Sequence, residues 1–169
     1  MQDVQDEIHA RLLACLPRLR RYARALTGDS ASADDLVQDT VERGWARIAQ
    51  WRPDGDLRAW LFGIMHNLHV DQLRRAPPPA VELEDGYLPF APPAGTLDLR
   101  DLERALQQLP AAQREVLLLV ALEEMRYEDV AATLDIPLGT VMSRLSRARE
   151  NLRRLMAGQP PAANLKVVK

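Results

Sequence analysis

The sequence predicts an all-α protein made of two small helical domains joined by a proline-rich linker. Apolar residues recur at intervals of three and four along most of the chain, which is the period of an amphipathic helix. No segment alternates with a period of two for long enough to form a strand. Six of the 12 prolines stand between residues 77 and 93, and a helix cannot continue through them.

The composition is that of a folded globular protein. Of the 169 residues, 47% are hydrophobic and 27% are charged, and the net charge is −2, so a disordered chain and a strongly basic histone-like protein are both excluded. The single cysteine, Cys15, excludes an intrachain disulfide and a cysteine-based zinc site. The acidic start of the chain does not resemble a signal peptide, and the longest apolar run, 116–122, is too short to cross a membrane. We therefore expect a cytoplasmic protein without membrane insertion.

The proline-rich stretch sets the domain boundaries. We predict a first domain at 1–75, an extended linker at 76–97, a second domain at 98–157 and a frayed tail at 158–169. Each domain is small, so each hydrophobic core is expected to be modest.

Three helices are predicted in the first domain. The first is expected to end at residues 27–29, where a glycine follows the apolar repeat. Ser32 is the predicted N-cap of the second helix, which places Asp34 and Asp35 in its first turn, next to the positive end of the helix dipole. The third helix follows a turn at 53–55 and ends at the prolines.

The second domain begins with an apolar repeat over 97–109, and Pro110 is predicted to open its next helix. A short helix over 127–134 is then followed by a tight turn and by a longer helix that starts near Pro137. This order is that of a helix-turn-helix. Asp135 stands in the turn where glycine is common, which is a mild departure because aspartate tolerates the left-handed conformation better than most residues.

The last predicted helix carries a local positive charge in a chain that is acidic overall. Five arginines and one glutamate lie between residues 137 and 157, which gives a local charge of +4. Its predicted exposed face includes Thr140, Ser143, Arg144 and Arg147, side chains that suit phosphates and base edges. The alternative is a helix whose arginines face water. The preceding short helix and turn favour DNA binding.

Two patterns in the first domain leave the interpretation open. The second helix begins with an acidic face, Asp34, Asp35, Asp39 and Glu42, which suits either solvent or a docked protein. The third helix carries polar and basic groups beside aromatic ones, which suits either single-stranded DNA or an ordinary core with a polar surface.

Taken together, these segments resemble a known family. Residues 19–29 (LRRYARALTGD), 33–40 (ADDLVQDT) and 60–67 (WLFGIMHN) resemble the second conserved region of bacterial sigma factors. Residues 109–119 (LPAAQREVLLL) and 139–149 (GTVMSRLSRAR) resemble the fourth region. The order and spacing are similar to those of the extracytoplasmic-function (ECF, group 4) subgroup, whose members lack the first and third regions.

The resemblance implies a function and three sets of residues. The protein would bind core RNA polymerase through the β′ coiled coil and the β flap, direct promoter recognition and melting, and be held inactive by an anti-sigma factor. The polymerase-binding set would be Asp34, Asp35, Leu36, Gln38, Asp39 and Glu42. The minus-ten set would be Arg58, Trp60, Asn67, Asp71, Arg74 and Arg75. The minus-thirty-five set would be Thr140, Met142, Ser143, Arg144, Ser146 and Arg147.

Three other functions compete with this interpretation. An enzyme or metal protein would need more than His66, His69 and Asp71, and the sequence contains no phosphate-binding glycine loop and no nucleophile elbow, so we predict neither catalysis nor a cofactor. A helix-turn-helix regulator would act without core polymerase. A sigma-like mimic would sequester an anti-sigma factor. Transcription with core enzyme would separate these from a sigma factor.

Overall fold

The structure, a computed structural model, describes residues 2–76 and 99–159, and all of its regular elements are helices. The predicted all-α class is therefore confirmed, whereas the predicted linker and tail lie almost wholly outside the described residues. The helices are α1 (Gln2–Thr27), α2 (Ser30–Ala46), α3 (Leu57–Arg75), α4 (Leu99–Gln108), α5 (Ala111–Ala121), α6 (Tyr127–Leu134) and α7 (Leu138–Met156). A short 3-10 helix at Ile48–Gln50, which the sequence pattern did not predict, follows α2.

The N-cap of α2, in the turn after α1, differs from the predicted residue. The N-cap of α2 is Asp29, whose carboxylate accepts a hydrogen bond from the Ser32 amide at 2.8 Å, so the prediction of Ser32 as the N-cap was wrong. Gly28 makes the early start possible, because its φ of +73° reverses the chain directly after α1. Asp34 and Asp35 consequently lie beyond the first turn of the helix.

The first three helices enclose a shared core. α2 packs against both α1 and α3. Leu19, Leu36 and Leu61 have no solvent exposure, and the ring of Phe62 meets that of Tyr22 edge to face at 4.8 Å between centroids. Burying such side chains is the main stabilising contribution to a small helical domain.

The second domain has the predicted helix-turn-helix. α6 spans the predicted 127–134, and Asp135 has φ 53° and ψ 51°, so the left-handed turn is confirmed. α7 packs on α4, α5 and α6. Pro110 and Pro137 each stand one position before their helix, at the N-cap, where the missing amide proton costs nothing.

The two domains pack together, an arrangement that the sequence left open. α6 lies against α3, and α4 and α5 lie against α1, so that the buried residues form one continuous cluster. A Cβ added at Gly63 of α3 would lie 3.5 Å from the Thr133 carbonyl oxygen, which shows how closely α3 approaches α6. No helix in the described ranges is long and apolar enough to cross a membrane.

Candidate nucleic-acid and polymerase interfaces

The acidic face of α2 is exposed to solvent. Asp34, Asp35, Asp39 and Glu42 all lie at the surface, where Gln38 donates a hydrogen bond to the Glu42 carboxylate at 3.0 Å. One member of the predicted polymerase-binding set differs. Leu36 has no exposed surface and packs inside the first domain, so it cannot touch a docked protein while α2 keeps its place. Its inclusion in that set was wrong, because one side of an amphipathic helix must face the core.

The predicted minus-ten residues divide between two faces of α3. Trp60, Asn67, Asp71 and Arg74 follow one another at intervals of seven, four and three, and therefore share one side of the helix. These four residues form what we call the Asn67 face. Asn67 and Arg74 are exposed, as is Arg75 one position on.

Arg58 differs from the rest of that set. It is two residues before Trp60, a spacing that turns the side chain to another face. There its guanidinium donates to the Glu123 carbonyl oxygen at 3.2 Å, across the boundary between the domains. In this arrangement Arg58 is not part of the Asn67 face, contrary to the grouping expected from the sequence.

A groove between α2 and α3 connects two of the predicted surfaces. Asp39 and Glu42 line it from the side of α2, and Asp71 and Arg75 line it from the side of α3. The exposed acidic face and the Asn67 face are therefore neighbours on the first domain.

Buried apolar residues hold the two helices of the helix-turn-helix together. Val130 and Leu134 of α6 and Val141 and Leu145 of α7 are at most 4% exposed and form the core that the two helices share. Ile136 in the turn is only half-buried. The packing fixes which side of α7 remains available for other molecules.

The open side of α7 contains most of the predicted minus-thirty-five residues. Met142, Ser143, Ser146 and Arg147 are exposed, whereas Thr140 and Arg144 are half-buried at its edge; these six are the residues that the sequence singled out. The Ser143 hydroxyl donates to the Thr140 carbonyl oxygen at 3.2 Å, which leaves its oxygen free to accept a hydrogen bond.

Four of the five arginines of α7 fall into two groups. Arg153 and Arg154 pair with Glu150, at 2.6 and 3.3 Å between nitrogen and oxygen. Arg147 and Arg149 are exposed and form no ion pair within the described ranges. Cations without an intramolecular partner are suited to phosphate or to guanine edges.

A buried carboxylate joins the two domains. The Glu123 side chain, in the loop between α5 and α6, has no exposed surface. Its Oε1 accepts a hydrogen bond from Arg21 of α1 at 3.2 Å, and its Oε2 lies 3.8 Å from nitrogen atoms of both Arg18 and Arg58. Arg21 also donates to the Leu122 carbonyl oxygen at 3.0 Å. Three arginines of the first domain thus surround one carboxylate of the second.

Further polar contacts extend this boundary. Arg114 of α5 donates to the Leu26 carbonyl oxygen at 2.9 Å, at the end of α1. Gln107 donates to the Ala25 carbonyl oxygen at 2.9 Å. His66 of α3 shares a hydrogen bond of 2.6 Å with Glu115. None of these contacts was predicted from the sequence, since nothing in the local pattern of these residues indicates a partner so far along the chain.

The histidines of α3 lie near the boundary between the domains. His69 is buried, its Nε2 has no hydrogen-bond partner among the described residues, and burial lowers its pKa below the ordinary value. Within residues 2–76 and 99–159, no three His, Cys, Asp or Glu side chains are grouped so as to hold a metal ion.

Comparison with protein families gives two separate matches, one in each half of the chain. Residues 12–66 match the family model for the Sigma2 domain of PhyR. Residues 99–152 match the family model for Sigma-70, region 4. The first match covers α2 and most of α1 and α3, and the second covers the helix-turn-helix.

Curated relatives extend over most of the chain. It is 37% identical to the ECF RNA polymerase sigma factor EcfG of Rhodopseudomonas palustris, over 89% of this chain and 86% of that protein. It is 34% identical to the ECF RNA polymerase sigma factor SigM of Mycobacterium tuberculosis, over 88% of this chain and 76% of that protein.

Solved structures show the same fold. The sigma factor RpoE of Bartonella quintana, in complex with the anti-sigma factor NepR, is 34% identical with a TM-score of 0.73, over 92% of this chain and 98% of that one. The anti-anti-sigma factor PhyR of the same organism shares the fold, with a TM-score of 0.61 at 18% identity, over 87% of this chain and 49% of that one.

Proposed function

This chain belongs to the ECF RNA polymerase sigma factors, and from that premise we propose how its surfaces divide the work of transcription initiation. The acidic face of α2, formed by Asp34, Asp35, Gln38, Asp39 and Glu42, binds core RNA polymerase. The Asn67 face of α3 captures the melted minus-ten element. The open side of α7 reads the minus-thirty-five element in duplex DNA.

The observation that carries this assignment is the groove between α2 and α3. It brings Asp39 and Glu42 of the predicted polymerase surface next to Asp71 and Arg75 of the predicted single-strand surface. A protein that captures DNA melted on the polymerase needs its capture surface beside its docking surface, and the groove supports that assignment. The duplex reader lies on the other domain and contacts a separate part of the promoter.

The charges fit a protein that works on the polymerase. A net charge of −2 gives weak attraction to DNA on its own, so most of the nonspecific affinity for phosphate is supplied by the polymerase. Tethering two weak sites to one enzyme raises their effective concentration. In this scheme the protein acts in the cytoplasm, has no catalytic activity of its own and needs no cofactor.

Regulation by a partner protein follows from the relatives. The RpoE sigma factor, which is 34% identical, was solved with an anti-sigma factor bound. We propose that this chain is likewise held inactive by an anti-sigma factor that covers its polymerase and DNA surfaces.

The test is run-off transcription with purified core RNA polymerase over a promoter library. We expect promoter-specific transcripts that Asp35→Ala and Arg147→Ala reduce at least tenfold. Asp6→Ala and Arg20→Ala are the matched controls, because each removes the same charge from an exposed position on α1. Equal loss in the controls would refute the assignment of the surfaces.

A second candidate, a sigma-like mimic that sequesters an anti-sigma factor, is favoured by one observation. The family model matched by the first domain is that of PhyR, and PhyR of Bartonella quintana is an anti-anti-sigma factor. A mimic would bind an anti-sigma factor but give no transcript with core polymerase, so the same assay separates the two.

A further inference from the structure

Two exposed apolar side chains stand at the start of α7. Leu138 is 41% exposed and Met142 is 52% exposed. They are four residues apart, so both lie on the same side of the helix. Single exposed leucines, such as Leu13 and Leu99, also occur elsewhere on the surface and need no special explanation. An adjacent pair at the end of a DNA-reading helix does need one.

This end of α7 carries no charge. Residues 138–143 contain apolar and hydroxyl side chains and one glycine, and the arginines begin at Arg144. A Cβ built at Gly139 meets nothing within 4 Å, so the space in front of this turn is open. The helix is thus divided between a neutral first third and a basic remainder.

The position of Leu138 and Met142 at the start of α7 determines which groups of bound DNA they would contact. In a helix-turn-helix, the N-terminal residues of the second helix contact the base edges. Among the groups that a base pair presents in the major groove, only the C5-methyl group of thymine is apolar. Leucine and methionine have no donor for guanine and no amide for adenine.

We propose that Leu138 and Met142 read thymine methyl groups in the minus-thirty-five element. This inference rests on the proposed function, and it adds the chemical class of base that the first turns of α7 select. Thymine contact removes apolar surface of both partners from water, which is favourable without any hydrogen bond. Guanine selection is left to the arginines farther along the helix.

The experiment replaces single thymines by uracil, which differs only in lacking the methyl group. The strongest promoter from the transcription library is resynthesised with uracil at each thymine of its minus-thirty-five element in turn, and open-complex formation with core polymerase is measured. We expect at least one replacement to lower the apparent affinity about fourfold, the effect of losing one buried methyl group. That loss should vanish in Leu138→Ala or in Met142→Ala.

Leu99→Ala is the matched control, because it truncates an exposed leucine on α4. It should keep the full sensitivity to uracil. Both α7 positions are exposed, so circular dichroism should show all three variants folded. The proposal would be overturned if replacing thymine by uracil left the apparent affinity unchanged, or lowered it equally in the wild type and in every variant. So would loss of polymerase binding in the α7 variants, which would assign the pair to a protein. Absence of any promoter-specific transcript would instead refute the proposed function.

Discussion

Replacing Glu123 by glutamine tests the contact between the two domains. Glu123→Gln keeps the shape of the side chain and removes its charge, while the main-chain bonds from Arg21 to Leu122 and from Arg58 to Glu123 are retained. Only the attraction between one buried carboxylate and the arginines around it is lost. The variant therefore isolates the charge from the packing.

The expected cost follows from the geometry. One hydrogen bond of 3.2 Å from Arg21 loses its charged acceptor, which costs about 1.5–3 kcal/mol in typical cases. Arg18 and Arg58 lie farther away, at 3.8 Å, and Arg18 is half-exposed, so they add less. Glutamine is also easier to bury than a carboxylate, which offsets part of the loss. We expect the free energy of unfolding to fall by about 1–2 kcal/mol.

Urea unfolding measures this with two probes. Circular dichroism follows both domains, whereas fluorescence follows the first alone, because Trp45, Trp51 and Trp60 all belong to it. In the wild-type protein the two transitions should coincide, since one core spans both domains. In Glu123→Gln they should move apart as the domains uncouple.

Glu124→Gln is the matched control. It makes the same change in net charge one residue away, at an exposed side chain that forms no ion pair in the described residues. Equal unfolding curves for Glu123→Gln and Glu124→Gln would refute the argument that the buried carboxylate couples the domains.

Three further predictions concern stability. Arg114→Gln should lower the free energy of unfolding by about 3 kcal/mol in urea titrations, because it removes the donor to the Leu26 carbonyl oxygen and to three others; a loss below about 1 kcal/mol would contradict this. Burial lowers the pKa of His69, so its neutral ring is the folded form; the melting temperature should fall as the pH drops below about 6.5, and His69→Gln should flatten that dependence. Gly28→Ala should destabilise the protein by about 1–2 kcal/mol in calorimetry. The φ of residue 28 is +73°, and a Cβ there would collide with the side chain of Gln107. An unchanged melting temperature would contradict this prediction and show that the turn relaxes.

The sequence predicted the helices well because helix periodicity is local. The bounds of α6 and the left-handed Asp135 follow from residues that lie within about two helical turns of each other. The choice of N-cap before α2 failed because Asp29 and Ser32 are both good caps, and the helix begins at the earlier one, directly after Gly28 with its φ of +73°.

Functional faces were harder to assign than helices. Leu36 stands among acidic residues in the sequence, but its angle on α2 turns it inward. Arg58 resembles its basic neighbours on α3 and is engaged by Glu123, 65 residues along the chain. Contacts of this kind depend on how the domains meet, and no local pattern encodes that. The three partner surfaces themselves were indicated by motif resemblance, and their division of labour stays a prediction.

The open space at Gly139 has a consequence for how this protein can change over time. A new side chain there touches no part of the fold, and replacing glycine inside a helix favours the helical state by up to about 1 kcal/mol. At most positions that determine which target a protein prefers, the side chain also packs against the rest of the fold, so a substitution there lowers stability. A side chain at Gly139 would lie in the open space in front of α7, so if α7 reads duplex DNA as proposed, a single substitution there would alter the DNA contacts while the packing of the helices stays intact.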